Sequence, residues 1–237
     1  MKSIHILKTW SILSIVCLFI GCDLPVQERF IFKPEVDIVD PFAEITAWEF
    51  INSGRALELD DEGELIGDNF NYLKAAIEAA DMVDEYNSAD NERTYLLLNN
   101  NSFLGNGDVI DLITGSEEIE EGETPEEIMA RADLDVLRSI LKYHIVTTYI
   151  TQTNVLLETD VSVKFQTLIP GEDGVIYMRR NALWSIQINQ NPVPLPNSAF
   201  GGGNNETVRN HNYVFNNGIG HSLNDPVRNR PYPTPNN

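Results

Sequence analysis

The two cysteines of this chain, Cys17 and Cys22, both fall within its first 22 residues. Everything downstream must fold without a disulfide. It also has no thiolate for a metal site, an iron–sulfur cluster or covalent catalysis. Such a fold rests on its apolar core alone. Length permits this, because a domain of about 190 residues buries roughly 70% of the surface that its unfolded chain exposes.

Cys22 also closes a leader. Lys2 and Lys8 precede an apolar run from Trp10 to Ile20, and Gly21 stands just before the cysteine. A basic start, a short apolar middle and a small residue make a secretory signal. The run is too short to span a bilayer comfortably as a helix. The order resembles the bacterial lipobox, with Phe19 where that pattern usually carries leucine. The resemblance implies that residues 1–21 are removed and that the Cys22 thiol is acylated as the new N-terminus. An ordinary signal peptide with an unmodified cysteine is the alternative. Residues 22–44 mix acids, prolines and scattered apolar side chains and read as a tether. Asp23 and Glu28 are a thin version of the acidic surface-export signals of some Gram-negative lipoproteins. The expected location is the cell envelope, on the outer membrane, with the periplasmic and surface faces both open.

The net charge is −20, and loss of Lys2 and Lys8 with the leader takes it to −22. That field repels phosphate backbones and anionic headgroups, so nucleic acid is excluded as a partner. Membrane attachment would come from the acyl chains.

Helical periodicity comes first along the chain. Thr46 to Ser53 reads as a short helix with Trp48 and Ile51 on one side. Phe70, Leu73, Ile77 and Ala80 recur at helical spacing, which predicts one amphipathic helix from Phe70 to Tyr86, capped by Asp68 or Asn69. Thr94 to Leu98 reads as a buried strand and Asn99-Asn100-Asn101 as a turn. A helical piece beginning near Ser102 holds Phe103 and Leu112. Thr124-Pro125-Glu126-Glu127 carries the signature of a helix start, with a capping box and a proline suited to the first turn. A further helix, capped by Asp133, places Leu134, Leu137, Leu141 and His144 on one face with Ile140 alongside.

After His144 the period becomes two. Val161, Val163, Phe165 and Thr167 alternate with polar residues, as do Trp184, Ile186 and Ile188. Val175 to Met178 and Tyr213 to Phe215 are further strands. Pro192 to Pro196 and Gly201-Gly202-Gly203 punctuate a loop, and Asn216-Asn217-Gly218 is a tight turn. Proline and asparagine dominate after about Arg228, which predicts a frayed tail over residues 229–237. No internal repeat is visible. Helices first and strands later predict one α+β domain.

Few residues point to chemistry. Glu58 to Glu64 and Glu117 to Glu127 are acidic runs; the first lacks the spacing of a calcium loop, and both read as solvated. His211 and His221 stand on either side of the Asn-Gly turn, where a hairpin brings them together. A zinc site needs a third ligand that no nearby His or Cys supplies. The chain has no Gly-x-Ser-x-Gly elbow, His-Glu-x-x-His or phosphate-binding glycine loop. No cofactor or metal is expected. A glycosidase would need two carboxylates set in a cleft, one with a raised pKa. Trp48 and Trp184 are able to stack on sugars, but the alternation around Trp184 places it in the core. His144, on an apolar helix face, reads as a histidine satisfied by neighbouring backbone.

Two stretches carry a family resemblance. They are Leu137-Arg138-Ser139-Ile140-Leu141-Lys142-Tyr143-His144-Ile145-Val146 and His211-Asn212-Tyr213-Val214-Phe215-Asn216-Asn217-Gly218-Ile219-Gly220-His221. Together they resemble the fasciclin (FAS1) domain, with its leucine-rich helix ending in Tyr-His and its closing Asn-Gly-x-x-His segment. Thr94 to Phe103 resembles the family's first block, with Leu96-Leu97-Leu98 in place of Phe-Ala-Pro. Gly220 stands where the family usually has a branched apolar residue. The match covers residues 45–228, and the leader makes the whole similar to single-domain fasciclin lipoproteins of Bacteroidetes-like bacteria. The resemblance implies a wedge of β-strands packed with several helices. It also implies a non-enzymatic, lipid-anchored domain for adhesion or for binding extracellular protein or glycan. In some animal members the Tyr-His pair is implicated in integrin binding, which makes Tyr143 and His144 the candidate partner-binding residues. An accessory glycan-binding lipoprotein of an outer-membrane uptake system is the alternative, and it predicts an exposed aromatic platform. A hydrolase with paired carboxylates is the third reading.

Overall fold

Helices come first and strands later, as the periodicity predicts, so the chain is α+β. The computed structural model describes residues 40–89, 92–104, 109–116, 118–196 and 205–227. The leader, Cys22, most of the tether, Gly201 to Gly203 and the tail lie outside the described residues. The helices are α1 (Ala47–Ile51), α2 (Asn71–Ala79), α3 (Val83–Tyr86), α4 (Asn100–Leu104), α5 (Val109–Thr114), α6 (Pro125–Ala130) and α7 (Leu134–Tyr143). The strands are β1 (Arg93–Leu98), β2 (Ile145–Val146), β3 (Val163–Gln166), β4 (Val175–Arg180), β5 (Ile186–Ile188), β6 (Glu206–Thr207), β7 (Asn210–Phe215) and β8 (Gly218–Leu223).

The strands form two four-stranded sheets, ordered β2-β1-β8-β7 and β3-β4-β5-β6. They meet at one corner. Val146 bridges to Thr167, and the Leu168 amide donates to the Ile145 carbonyl at 2.9 Å. This junction gives the wedge that the family resemblance implies. β8 runs parallel to β1, with Leu96 opposite His221, and antiparallel to β7. Every residue of β8 is buried, so neither of its faces needs polar alternation.

Close packing explains one departure from the family pattern. A Cβ built on Gly220 would lie 2.8 Å from the Phe215 ring and 2.9 Å from a Leu97 methyl. These two side chains fill the space that a branched residue would need. The same corner holds an aromatic cluster in which Phe50 lies 5.2 Å from Tyr213 and 5.3 Å from Phe215, centroid to centroid. Phe42 joins it at 4.6 Å from Phe50, so the packed chain reaches back past Ile45.

Several local expectations hold. Thr124 and Glu127 form the capping box: the Glu127 amide donates to Thr124 Oγ1 at 3.3 Å, and Glu127 Oε2 accepts the Thr124 amide at 2.8 Å. Asp133 caps α7, and Leu137, Ile140 and Leu141 bury one face of it. Leu134 is the exception, exposed at the helix start.

The expected helix from Phe70 to Tyr86 is two helices. Asp81 has a φ of 56°, a left-handed residue that ends α2 before α3 begins. Neither expected cap serves α2. Asp68 accepts from Asn99 at 3.3 Å, and the Asn69 side chain donates to the Glu58 carbonyl. The α2 start is held from a distance instead, because Asn100 Oδ1 accepts the Tyr72 amide at 3.2 Å. Asn99 and Asn100, expected in a turn, are fully buried.

Candidate functional site

The Tyr143–His144 pair sits at the end of α7, where β2 takes over. Both residues are 0% exposed. The Tyr143 hydroxyl donates to the Val175 carbonyl at 2.9 Å and accepts from Asn189 Nδ2 at 3.3 Å. His144 Nε2 accepts the Val227 amide at 3.0 Å, which puts the proton on Nδ1. Nδ1 then donates to the Ile140 carbonyl at 2.8 Å. The pair therefore clasps α7 to β4, to the residue after β5 and to the chain beyond β8. In this state it offers no atom to a partner, and direct contact requires opening that corner. The reading of His144 as satisfied by backbone holds.

The β7–β8 hairpin does bring His211 and His221 together, with ring centroids 6.4 Å apart. His221 is fully buried and both its nitrogens are engaged. Nε2 donates to the Ile150 carbonyl at 2.9 Å, and Nδ1 accepts the Asn212 amide at 3.1 Å. Burial, assisted by the His211 charge, pushes its pKa down to about 4. Burial lowers that of His211 as well. Among the described residues, no group of three or more His, Cys, Asp or Glu is placed to hold a metal ion.

Trp184 is the main correction to the sequence reading. It is not in the core: it is 52% exposed, in the turn between β4 and β5, with a φ of 65°. The alternation it begins is real for Ile186 and Ile188, both fully buried, but the strand starts after Trp184. The turn is tightly held. Asn181 Oδ1 accepts the amides of Leu183 at 2.9 Å and Ser185 at 3.0 Å, and Gln152 Nε2 donates to the Trp184 carbonyl at 3.2 Å. The Arg180 guanidinium lies 4.2 Å from the indole ring centre. It is itself fixed by the Leu157 carbonyl and by Thr159 Oγ1. Leu157 and Leu183, beside these groups, are 61% and 85% exposed. The result is a preset aromatic and apolar tip. The signal for it was present as the turn residues Asn181 and Ser185 flanking Leu183-Trp184.

The acids gather elsewhere. An open cleft of about 550 Å³ is lined by Glu118, Glu120, Glu121, Glu123, Glu127 and Arg131, among others. Two of its carboxylates already have partners: Glu127 closes a capping box, and Arg131 bonds Glu123 at 2.9 Å and holds its pKa down. A smaller cleft of about 220 Å³ lies between Lys164, Glu172, Tyr177 and Pro194 to Pro196. Among the described residues, the carboxyls raised by burial are Glu206 and Asp225, and Asp225 adds to the shift of Glu206. Neither lines either cleft. Trp48 is partly buried against the core.

No protein-family model matches the chain, and no curated protein matches it. Among solved structures it is similar to a FAS1 domain pair from the insect cell adhesion molecule Fasciclin I. The identity is 18%, the TM-score is 0.43, and the match covers 70% of this chain and 46% of that one. The chain thus spans about half the length of that structure. At this distance the likeness says nothing of partners or activity, which rest on the site itself. No helix of the described residues is long and apolar enough to cross a membrane.

Proposed function

We propose that the chain is a non-enzymatic, lipid-anchored domain of the cell envelope that binds extracellular protein or glycan, with Cys22 carrying the lipid. The observation that carries the binding reading is the tip at Leu157, Leu183 and Trp184. Leu183 and Trp184 are exposed on a turn held by Asn181 and Gln152, with Arg180 against the indole and Leu157 exposed on the segment that bonds Arg180. A fixed exposed tryptophan loses little side-chain freedom when a partner covers it, so more of the contact energy reaches the affinity. The Tyr143–His144 pair supports this reading from within, by fixing the frame that carries β4 and β5.

The hydrolase reading would draw on Glu206 and Asp225, the carboxyls raised by burial. It predicts turnover that collapses in Asp225→Asn.

The binding reading is tested with the chain from residue 22 onward, carrying Cys22→Ser, on an array of matrix proteins and glycans. The expected result is retention of a ligand by the parent chain and its loss in Trp184→Ala. A ligand bound equally by both, or turnover of an arrayed substrate, contradicts the reading. The anchor is tested by the intact mass of the natural mature protein. A chain starting at an acylated Cys22 is expected, and an unmodified Cys22 removes the anchor.

A further inference from the structure

We propose that the tip at Arg180, Leu183 and Trp184 is a platform for a neutral pyranose chain, with one sugar ring lying on the indole. This rests on the binding reading above and names its ligand.

Shape is the first argument. Arg180 backs the indole at 4.2 Å, and its guanidinium is fixed by the Leu157 carbonyl and Thr159 Oγ1. The ring is half exposed and cannot easily fold away. A flat face of this size matches the C–H face of one pyranose ring. A stable protein interface needs about 800 Å² from each partner, with several anchors in pockets. The tip supplies a few side chains on a short turn and falls well below that area.

Backbone geometry is the second argument. Trp184 is a bulky residue at a φ of 65°, a conformation that persists only where the surroundings impose it. Here they do so through the two amides held by Asn181 Oδ1 and the Trp184 carbonyl held by Gln152. Relaxing the turn to ordinary backbone would move the indole off Arg180. The strain therefore serves the display of the ring.

Charge is the third argument, and it selects among ligands. Glu158 is exposed between Leu157 and Thr159, the two residues that hold Arg180, while the Asp160 carboxylate faces Arg179 at 3.9 Å. A carboxylate at the rim of an aromatic face accepts hydrogen bonds from sugar hydroxyls. With a chain charge of −20 it also repels uronate polymers and anionic lipid. A neutral polyol meets neither penalty.

The test is calorimetric titration of the chain from residue 22 onward, with Cys22→Ser, against neutral hexasaccharides of glucose, mannose and xylose. Hexagalacturonate and neutral phosphatidylcholine vesicles are the comparators. The expected result is saturable binding of at least one neutral hexasaccharide, with hexagalacturonate weaker. Trp184→Ala should weaken that binding about tenfold or more, while Trp184→Tyr keeps most of it. An unchanged melting temperature confirms that Trp184→Ala stays folded. Three results overturn the proposal: no neutral hexasaccharide binds, binding survives in Trp184→Ala, or the vesicles bind through Trp184 and the sugars do not. A protein ligand that is lost in Trp184→Ala, with no sugar bound, overturns this inference and leaves the binding reading standing. Loss of every tip-dependent ligand sinks both.

Discussion

The buried histidine of β8 gives this acidic domain a specific response to pH. Burial holds His221 neutral, with a folded pKa of about 4 against an ordinary value of 6.5. The unfolded chain binds that proton more readily, so stability rises with pH through this window. The contribution is fully present above pH 6.5 and is lost as pH falls toward 4. Its size is on the order of 3 kcal/mol. His221→Gln keeps a donor for Ile150 and an acceptor for Asn212. Urea unfolding of both chains at pH 7 and pH 5 should show a smaller loss in His221→Gln than in the parent. An identical loss in both would mean that His221 does not titrate in this way. Sequence alone favoured a packing residue over half of a metal pair for His221, but did not supply all its partners. Of its partners, Asn212 lies on the other arm of the hairpin that the Asn-Gly turn marks, but Ile150 comes from a segment that no local pattern joins to it. Asn217 shows the same limit. Read as part of a turn, it is a buried hub that accepts the Ala47 amide at 2.9 Å and donates to the Tyr86 carbonyl at 2.9 Å and the Tyr95 hydroxyl at 3.1 Å.

At the scale of elements, periodicity read phase well and ends poorly. It placed Ile186 and Ile188 in the core, but began the strand two residues too early and buried Trp184 with them. It found the face of α7, but carried α2 through the left-handed Asp81. Both errors arise at a left-handed residue, Asp81 or Trp184, which an apolar period does not reveal. β8 shows what packing adds to pattern. Gly220 lies between Phe215 and Leu97, so a larger residue there must move a ring or a methyl inside a closed sheet. Gly220→Val should destabilise the domain by about 1–3 kcal/mol in denaturant unfolding. A stability equal to the parent's would show that this space adjusts freely.

For the whole molecule, two regions have separate work. One corner, where α7 meets the two sheets, holds the frame through Tyr143 and His144 and turns them inward. The other, the turn between β4 and β5, turns Leu183 and Trp184 outward. Family resemblance pointed to the first as the place of contact, because a motif shows which residues recur together and not which way they face. Burial points to the second. The two roles separate in one measurement: ligand retention by Tyr143→Phe and Trp184→Ala, side by side on the same protein and glycan array, with a melting curve for each. Tyr143→Phe should lose about 1–3 kcal/mol of stability, because it leaves the Val175 carbonyl and Asn189 without their partner, and should still retain ligand. Trp184→Ala should melt with the parent and retain none. The opposite pattern, a folded Tyr143→Phe that loses the ligand while Trp184→Ala keeps it, would contradict the account.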